Sequence, residues 1–178
     1  MEKFIQVFDD IIPISMANRL EQIALDGDIH YKYISNITDK SSSKYYPGFS
    51  YPLIFRDKDL YQPPCFEFSQ ILYRLCFKLN ILLIDIIQAR IFLQIPSINS
   101  GRNGIHVDIF NPHWVCLYYV CDSDGDTILF DDNENEIQRV SPKKGRIVFF
   151  DGSIKHCSSS PAKTHRAVIN FDFIGKKL

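Results

Sequence analysis

The sequence contains no CxxC pair, and its five cysteines (Cys65, Cys76, Cys116, Cys121 and Cys157) are odd in number. That argues against a disulfide framework and against a zinc knuckle. No uninterrupted apolar run approaches the ~18 residues that a membrane-spanning helix requires. The opening Met1-Glu2-Lys3 lacks the charged-then-apolar pattern of a secretory signal. A surplus of positive charge is also missing, since the net charge is -1 and the pI about 6.5. This speaks against duplex binding by phosphate neutralisation and disfavours nucleic acid as a partner. Internal repeats and low-complexity tails are absent. The expectation is a soluble, cytoplasmic protein of a reducing compartment with no membrane partner.

What is present suits one buried core. The chain has 178 residues, 46% of them hydrophobic and 13% aromatic, so a single domain over 1–178 is expected. Phe4 to Ile12 reads as an opening strand. A helix follows from Pro13-Ile14-Ser15, with Ser15 as N-cap, a stripe of Met16, Leu20, Ile23 and Ala24, and an end at Asp26-Gly27-Asp28. Residues 35–48 read as an exposed loop whose Tyr45-Tyr46 pair could touch substrate. Phe49 to Phe55 is expected at a sheet edge because Pro52 interrupts it. After Pro63-Pro64, a second helix carries Phe68, Ile71, Leu72, Leu75, Cys76 and Leu79 at helical spacing.

From residue 86 the period changes from helical to alternating. About seven β-segments separated by turn signals follow, the pattern of a sandwich or jelly roll. Residues 1–85 are thus read as supporting helices and strands, and 86–174 as the β core. Trp114 to Cys121 should place Val115, Leu117 and Tyr119 on one face and Cys116, Tyr118 and Val120 on the other. Asp122-Ser123-Asp124-Gly125-Asp126 superficially suggests a Ca²⁺ loop. Its glycine is in the wrong place and no bidentate Glu closes it, so a hairpin turn is the better reading.

The chemistry-bearing residues centre on Ile105-His106-Val107-Asp108. If this segment is extended, His106 and Asp108 share a face and Val107 turns into the opposite layer. An imidazole and a carboxylate together are two-thirds of a 2-His-1-carboxylate triad, which holds non-haem Fe(II) and leaves positions open. His156, after the apolar strand Ile147-Val148-Phe149-Phe150, is the candidate third ligand. Arg166 lies on the strand after it, and His165 should face away. His30 and His113 read as structural or solvated, and Cys157 as a bystander.

These pieces resemble the Fe(II)/2-oxoglutarate-dependent oxygenases, especially the prolyl 4-hydroxylase-like branch. The resemblance rests on His106-Val107-Asp108, Cys116-Leu117-Tyr118-Tyr119-Val120, Gly145-Arg146-Ile147-Val148-Phe149-Phe150, His156 and Arg166. It implies a mainly β fold with flanking helices, the double-stranded β-helix or jelly roll. It implies His106, Asp108 and His156 as metal ligands, and Arg166 and Tyr119 as partners of the 2-oxoglutarate distal carboxylate. Ile95 is taken to stand where the family often has a Tyr touching the cosubstrate. The implied activity is a dioxygenase that hydroxylates a C–H bond while decarboxylating 2-oxoglutarate to succinate. Its cofactors would be Fe(II), 2-oxoglutarate and O2, with ascorbate as an optional addition. The primary substrate, peptide, protein or small molecule, and the oligomeric state are left open. The alternatives are a non-catalytic cupin-like binding module, disfavoured because cupins usually offer HxH, and a degenerate oxygenase acting as an interaction protein.

Overall fold

The computed structural model describes residues 3–26, 29–37, 46–98 and 101–178. In chain order the elements are β1 (Ile5–Phe8), α1 (Ile14–Leu25), β2 (Lys32–Ile34), β3 (Gly48–Phe55), β4 (Leu60–Tyr61), α2 (Cys65–Lys78) and β5 (Ile81–Gln94). There follow β6 (Trp114–Tyr119), β7 (Thr127–Phe130), β8 (Glu136–Val140), β9 (Ile147–Asp151), β10 (Lys155–Ser158) and β11 (Arg166–Lys177). The protein is mainly β with two helices.

Two sheets face each other. The larger runs β1-β9-β6-β11-β5-β3-β2, with β4 paired to β3; the smaller runs β10-β7-β8. β6 is buried at every residue and lies between β9 and β11. Its alternation therefore feeds two cores. Cys116 and Tyr118 pack with the helices, whereas Val115, Leu117 and Tyr119 pack with Leu129, Val148 and Phe150 between the sheets. This is the facing expected from the sequence. Antiparallel pairing of sequence-distant strands, with one face under helices and the other under a second sheet, makes the jelly roll.

The helices cover the outer face of the large sheet. α2 puts Phe68, Ile71, Leu72 and Leu75 at zero exposure, each contributing roughly 1.5–3 kcal/mol of transfer free energy. α1 buries Ala17, Leu20 and Ala24. Its cap position is Pro13 and no side chain caps it, so Ser15 is not the N-cap. Pro13 supplies the preset backbone turn that a hydroxyl otherwise stabilises. The expected helix end at Gly27-Asp28, and Tyr45 of the aromatic pair, lie outside the described residues.

β3 is not an edge strand. It pairs with β5 on one side and with β2 and β4 on the other. Pro52 is tolerated because the outer partners leave it a gap, Lys32 at the start of β2 lying opposite Ser50 and Tyr61 at the end of β4 opposite Ile54. The register toward β5 also shifts between Pro52 and Ile54, a bulge that absorbs the missing donor. β5 begins at Ile81, before residue 86, and spans both regions distinguished in the sequence. No helix among the described residues is long and apolar enough to cross a membrane.

Candidate metal centre

His106, Asp108 and His156 come together. One donor atom from each lies within 4.8 Å of the others. His106 Nε2 is 3.6 Å from Asp108 Oδ1, and His156 Nε2 is 3.3 Å from Asp108 Oδ2. The two histidines are joined by their main chains. His106 N–H donates to the His156 carbonyl at 3.0 Å, and His156 N–H donates back at 2.9 Å. This isolated bridge fixes the rings with centroids 4.6 Å apart.

The segment around His106 is not a regular strand. Beyond the single bridge His106↔His156, the chain bends at Asp108. Gly104 before it and Asn111-Pro112 after it favour irregular backbone. One consequence corrects the strand-alternation argument. Val107 lines the same cavity as its neighbours rather than facing another layer.

Both imidazoles are held in one tautomer by their unused nitrogens. His106 Nδ1 lies 3.0 Å from the Gly104 carbonyl, and His156 Nδ1 lies 3.1 Å from the Ile154 carbonyl. A carbonyl can only accept, so each Nδ1 carries the proton and each Nε2 lone pair points toward the carboxylate. The Phe150 ring sets its edge against His156 at 5.1 Å. Asn170 Nδ2 donates to Asp108 Oδ2 at 3.2 Å. Burial would raise the Asp108 carboxyl, but the facing His156 and His106 hold it well below its ordinary range, so it stays a carboxylate. Two imidazole lone pairs and one carboxylate, oriented by outer hydrogen bonds, form a donor set that fits Fe(II).

The triad opens on a cavity of about 200 Å³. Arg166 lines it and is 4% exposed. Its Nε donates to the Gly125 carbonyl at 2.8 Å, Nη1 to Gln94 Oε1 at 3.1 Å and Nη2 to Thr127 Oγ1 at 2.9 Å. All three acceptors are neutral, and among the described residues no carboxylate lies at ion-pair distance. The Asp122–Asp126 turn has a part in this. Gly125 packs so closely that a Cβ there would meet the Arg166 side chain at 3.0 Å. Asp124 accepts backbone N–H groups from Ala162, Lys163 and Thr164, tying the turn to the loop before β11. The turn anchors Arg166 and holds no cation-loop geometry.

Tyr119 lies one layer behind. It is fully buried, and its hydroxyl is 2.7 Å from Thr127 Oγ1 and 3.1 Å from the Val140 carbonyl. The Arg166 guanidinium sits 5.8 Å from its ring. Thr127, not Tyr119, presents its side chain to the cavity. On β5 it is Gln94 that turns toward Arg166, while Ile95 is 55% exposed. The expected phase was off by one residue. His165 is exposed, as its alternation with Arg166 requires. Cys157 lines the cavity wall, and burial pushes its thiol up to about 11, so it remains an unreactive thiol.

Sequence reasoning missed a polar network behind the triad. Asp172 is fully buried. It accepts from Gln88 Nε2 at 2.6 Å and lies 3.4 Å from Asn170 Nδ2. His113, a structural histidine, places its Nε2 3.6 Å from Asp172 Oδ1, with its Nδ1 committed to the Asn111 carbonyl at 2.7 Å. Burial, then the Asp108 charge, raise the Asp172 carboxyl well above its ordinary value. Among the described residues, the buried His113 Nε2 has no hydrogen-bond partner. The signal was in the sequence: polar Gln88, Arg90 and Gln94, and Asn170 with Asp172, recur at period two in otherwise apolar strands.

No protein-family model matches the chain, and no curated protein matches it in sequence. Solved structures do match. A 2OG-Fe(II) oxygenase family oxidoreductase from Burkholderia pseudomallei superposes with a TM-score of 0.74 at 8% identity, covering 95% of this chain and 84% of that one. A Pseudomonas putida prolyl-4-hydroxylase gives 0.62 at 14% identity, covering 95% and 91%. A viral collagen prolyl hydroxylase from Paramecium Bursaria Chlorella virus-1, solved with 2OG, gives 0.62 at 11% identity, covering 99% and 97%. The chain has the fold of the 2OG-Fe(II) oxygenases and prolyl hydroxylases, the jelly roll, and carries a His-Asp-His triad on it.

Proposed function

We propose that the protein is an Fe(II)- and 2-oxoglutarate-dependent dioxygenase that hydroxylates a C–H bond and releases succinate. One observation carries this reading. A tautomer-fixed His106-Asp108-His156 donor set and a buried guanidinium without a carboxylate partner, Arg166, line one small cavity. A buried cation surrounded by neutral acceptors is costly unless an anion completes it. The distal carboxylate of 2-oxoglutarate is such an anion, and a guanidinium can meet it bidentately.

When bound, ferrous iron and 2-oxoglutarate would supply the oxidising chemistry. The chain's own work is to hold and orient. His106, Asp108 and His156 would be the ligands, and Asn170 steadies the carboxylate. Arg166 fixes the cosubstrate's far end, with Gln94, Thr127 and Gly125 setting its fork. Tyr119 braces Thr127 and Arg166 from behind. Phe92, Leu117 and Val168 give the cavity apolar walls, which limit water near the reacting centre. O2 is the oxidant of this reading, and ascorbate would serve to restore ferrous iron. The fold similarity and the triad support an oxygenase. Succinate formation from 2-oxoglutarate in the presence of Fe(II) and air tests it. Metal binding without succinate, over a broad panel of peptides and metabolites, would favour a binding module.

A further inference from the structure

Arg90 is a second cation in the same cavity, and the chemistry above gives it no task. Its side chain lies on the inner face of β5 with Phe92 and Gln94, and all three line the cavity. The guanidinium stacks on the Phe55 ring, 4.7 Å from the centroid, and donates through Nη2 to Gln88 Oε1. Its Nε is buried with no acceptor. Among the described residues no carboxylate lies at ion-pair distance, although Asp108 and Asp172 act on it from further away. Phe55 and Gln88 hold one face and one corner of the fork. The side chain also lines the cavity.

The register sets the main chains of the two arginines apart along the sheet. Arg90 is paired with Asn170, beside the metal centre, and Gln94 with Arg166. Four strand residues separate the two positions, about 13 Å at the rise of a β-strand. The four C–C bonds of a five-carbon keto-diacid, about 1.5 Å each, span at most ~6 Å. Arg90 thus stands beside the triad, four strand positions from the residue paired with Arg166.

We propose that Arg90 is a specificity-determining residue that receives a carboxylate of the molecule being oxidised, so the primary substrate is a small carboxylic acid. This rests on the dioxygenase reading for the word substrate, but the binding itself does not. A carboxylate accepts two parallel N–H bonds from a guanidinium and supplies the charge that Gln88 and Phe55 do not. An uncharged amide of the same shape would leave the cation uncompensated.

The test uses metal-free protein and thermal-shift titration with amino acids and hydroxy acids, each matched by its primary amide. At least one acid should stabilise the protein with an affinity at least tenfold above that of its amide. Arg90→Gln should abolish this preference and Arg166→Met should keep it. Arg90→Lys, which retains charge and loses the fork, should weaken it while the unliganded melting temperature confirms folding. Anaerobic Fe(II) and 2-oxoglutarate should still give their visible absorption band in Arg90→Gln. The proposal is overturned if no acid exceeds its amide, or if the preference survives Arg90→Gln and vanishes in Arg166→Met. Failure of wild-type protein to form the absorption band would sink the dioxygenase reading and leave the Arg90 result standing.

Discussion

His106 and His156 exchange both backbone hydrogen bonds, at 3.0 and 2.9 Å, so the two histidines of the triad are bridged through their main chains before any ion arrives. The centre is preorganised by main chain rather than by side-chain packing alone. Removing one imidazole should therefore spare the fold while removing the site. His106→Ala or His156→Ala is expected to lower Fe(II) affinity by more than ~100-fold, above the 10–100-fold that loss of an outer-sphere partner costs. Metal titration followed by melting of the metal-free protein checks both parts.

Asn170 is such an outer-sphere partner, donating to Asp108 Oδ2. Asn170→Ala should weaken metal binding by ~10–100-fold with the triad intact. An unchanged affinity would mean that the carboxylate is held by the histidines alone.

Arg166→Ala should weaken 2-oxoglutarate binding by about 3–5 kcal/mol, the scale for removing one partner of a buried charge pair, with metal affinity retained. Thr127→Val is a milder version, because Arg166 keeps Gln94 and Gly125 as acceptors. Calorimetric titration of the metal-loaded protein distinguishes the two. Equal affinity for wild type and Arg166→Ala would remove that residue from the cosubstrate site.

Asp172 gives a pH dependence with a definite sign. Its folded-state value is raised far above the ordinary 3.8 by burial and then by Asp108. Between those two values the folded protein holds a proton that the unfolded chain has lost, so stability falls as pH rises. The contribution is complete below the unfolded value and is lost as pH climbs through the folded one. Asp172→Asn should flatten that slope, seen in chemical denaturation as pH is raised above the ordinary carboxylate value. A slope unchanged by the substitution would mean that Asp172 is ionised in the fold.

Gly152 lies against the other end of this network. A Cβ there would meet the His113 ring at 2.3 Å, and Gly152 N–H donates to the His113 carbonyl at 3.0 Å. Gly152→Ala should cost about 1–3 kcal/mol by overpacking, measured by denaturant unfolding. The reason is space, not backbone strain.

The residues of the triad were legible because their chemistry is rare and their order along the chain is informative. His106-Val107-Asp108, His156 and Arg166 announce themselves by residue type. The α2 stripe was legible because helical periodicity over fourteen residues leaves little ambiguity. β8 and β10 were missed because four or five residues, most of them polar, carry too little alternation to stand out. The cavity's neutral and cationic lining, Gln94, Thr127, Asn170 and Arg90, was passed over for another reason. Each is ordinary in a sequence, and only the pairing of β5 with β11 and the facing of the smaller sheet bring them around one cavity. The single-residue slip at Ile95 shows the same limit, since in a strand one step moves a side chain to the opposite face.

We propose that the triad and Arg166 together bind ferrous iron and 2-oxoglutarate for oxidation. Mixing protein, Fe(II) and 2-oxoglutarate without oxygen, and recording the visible spectrum before and after air is admitted, tests it most directly. The expected result is a metal-to-ligand charge-transfer band that is absent in His156→Ala, followed by decay of the band and one succinate per 2-oxoglutarate consumed. No band, and no succinate above a protein-free control, would contradict it.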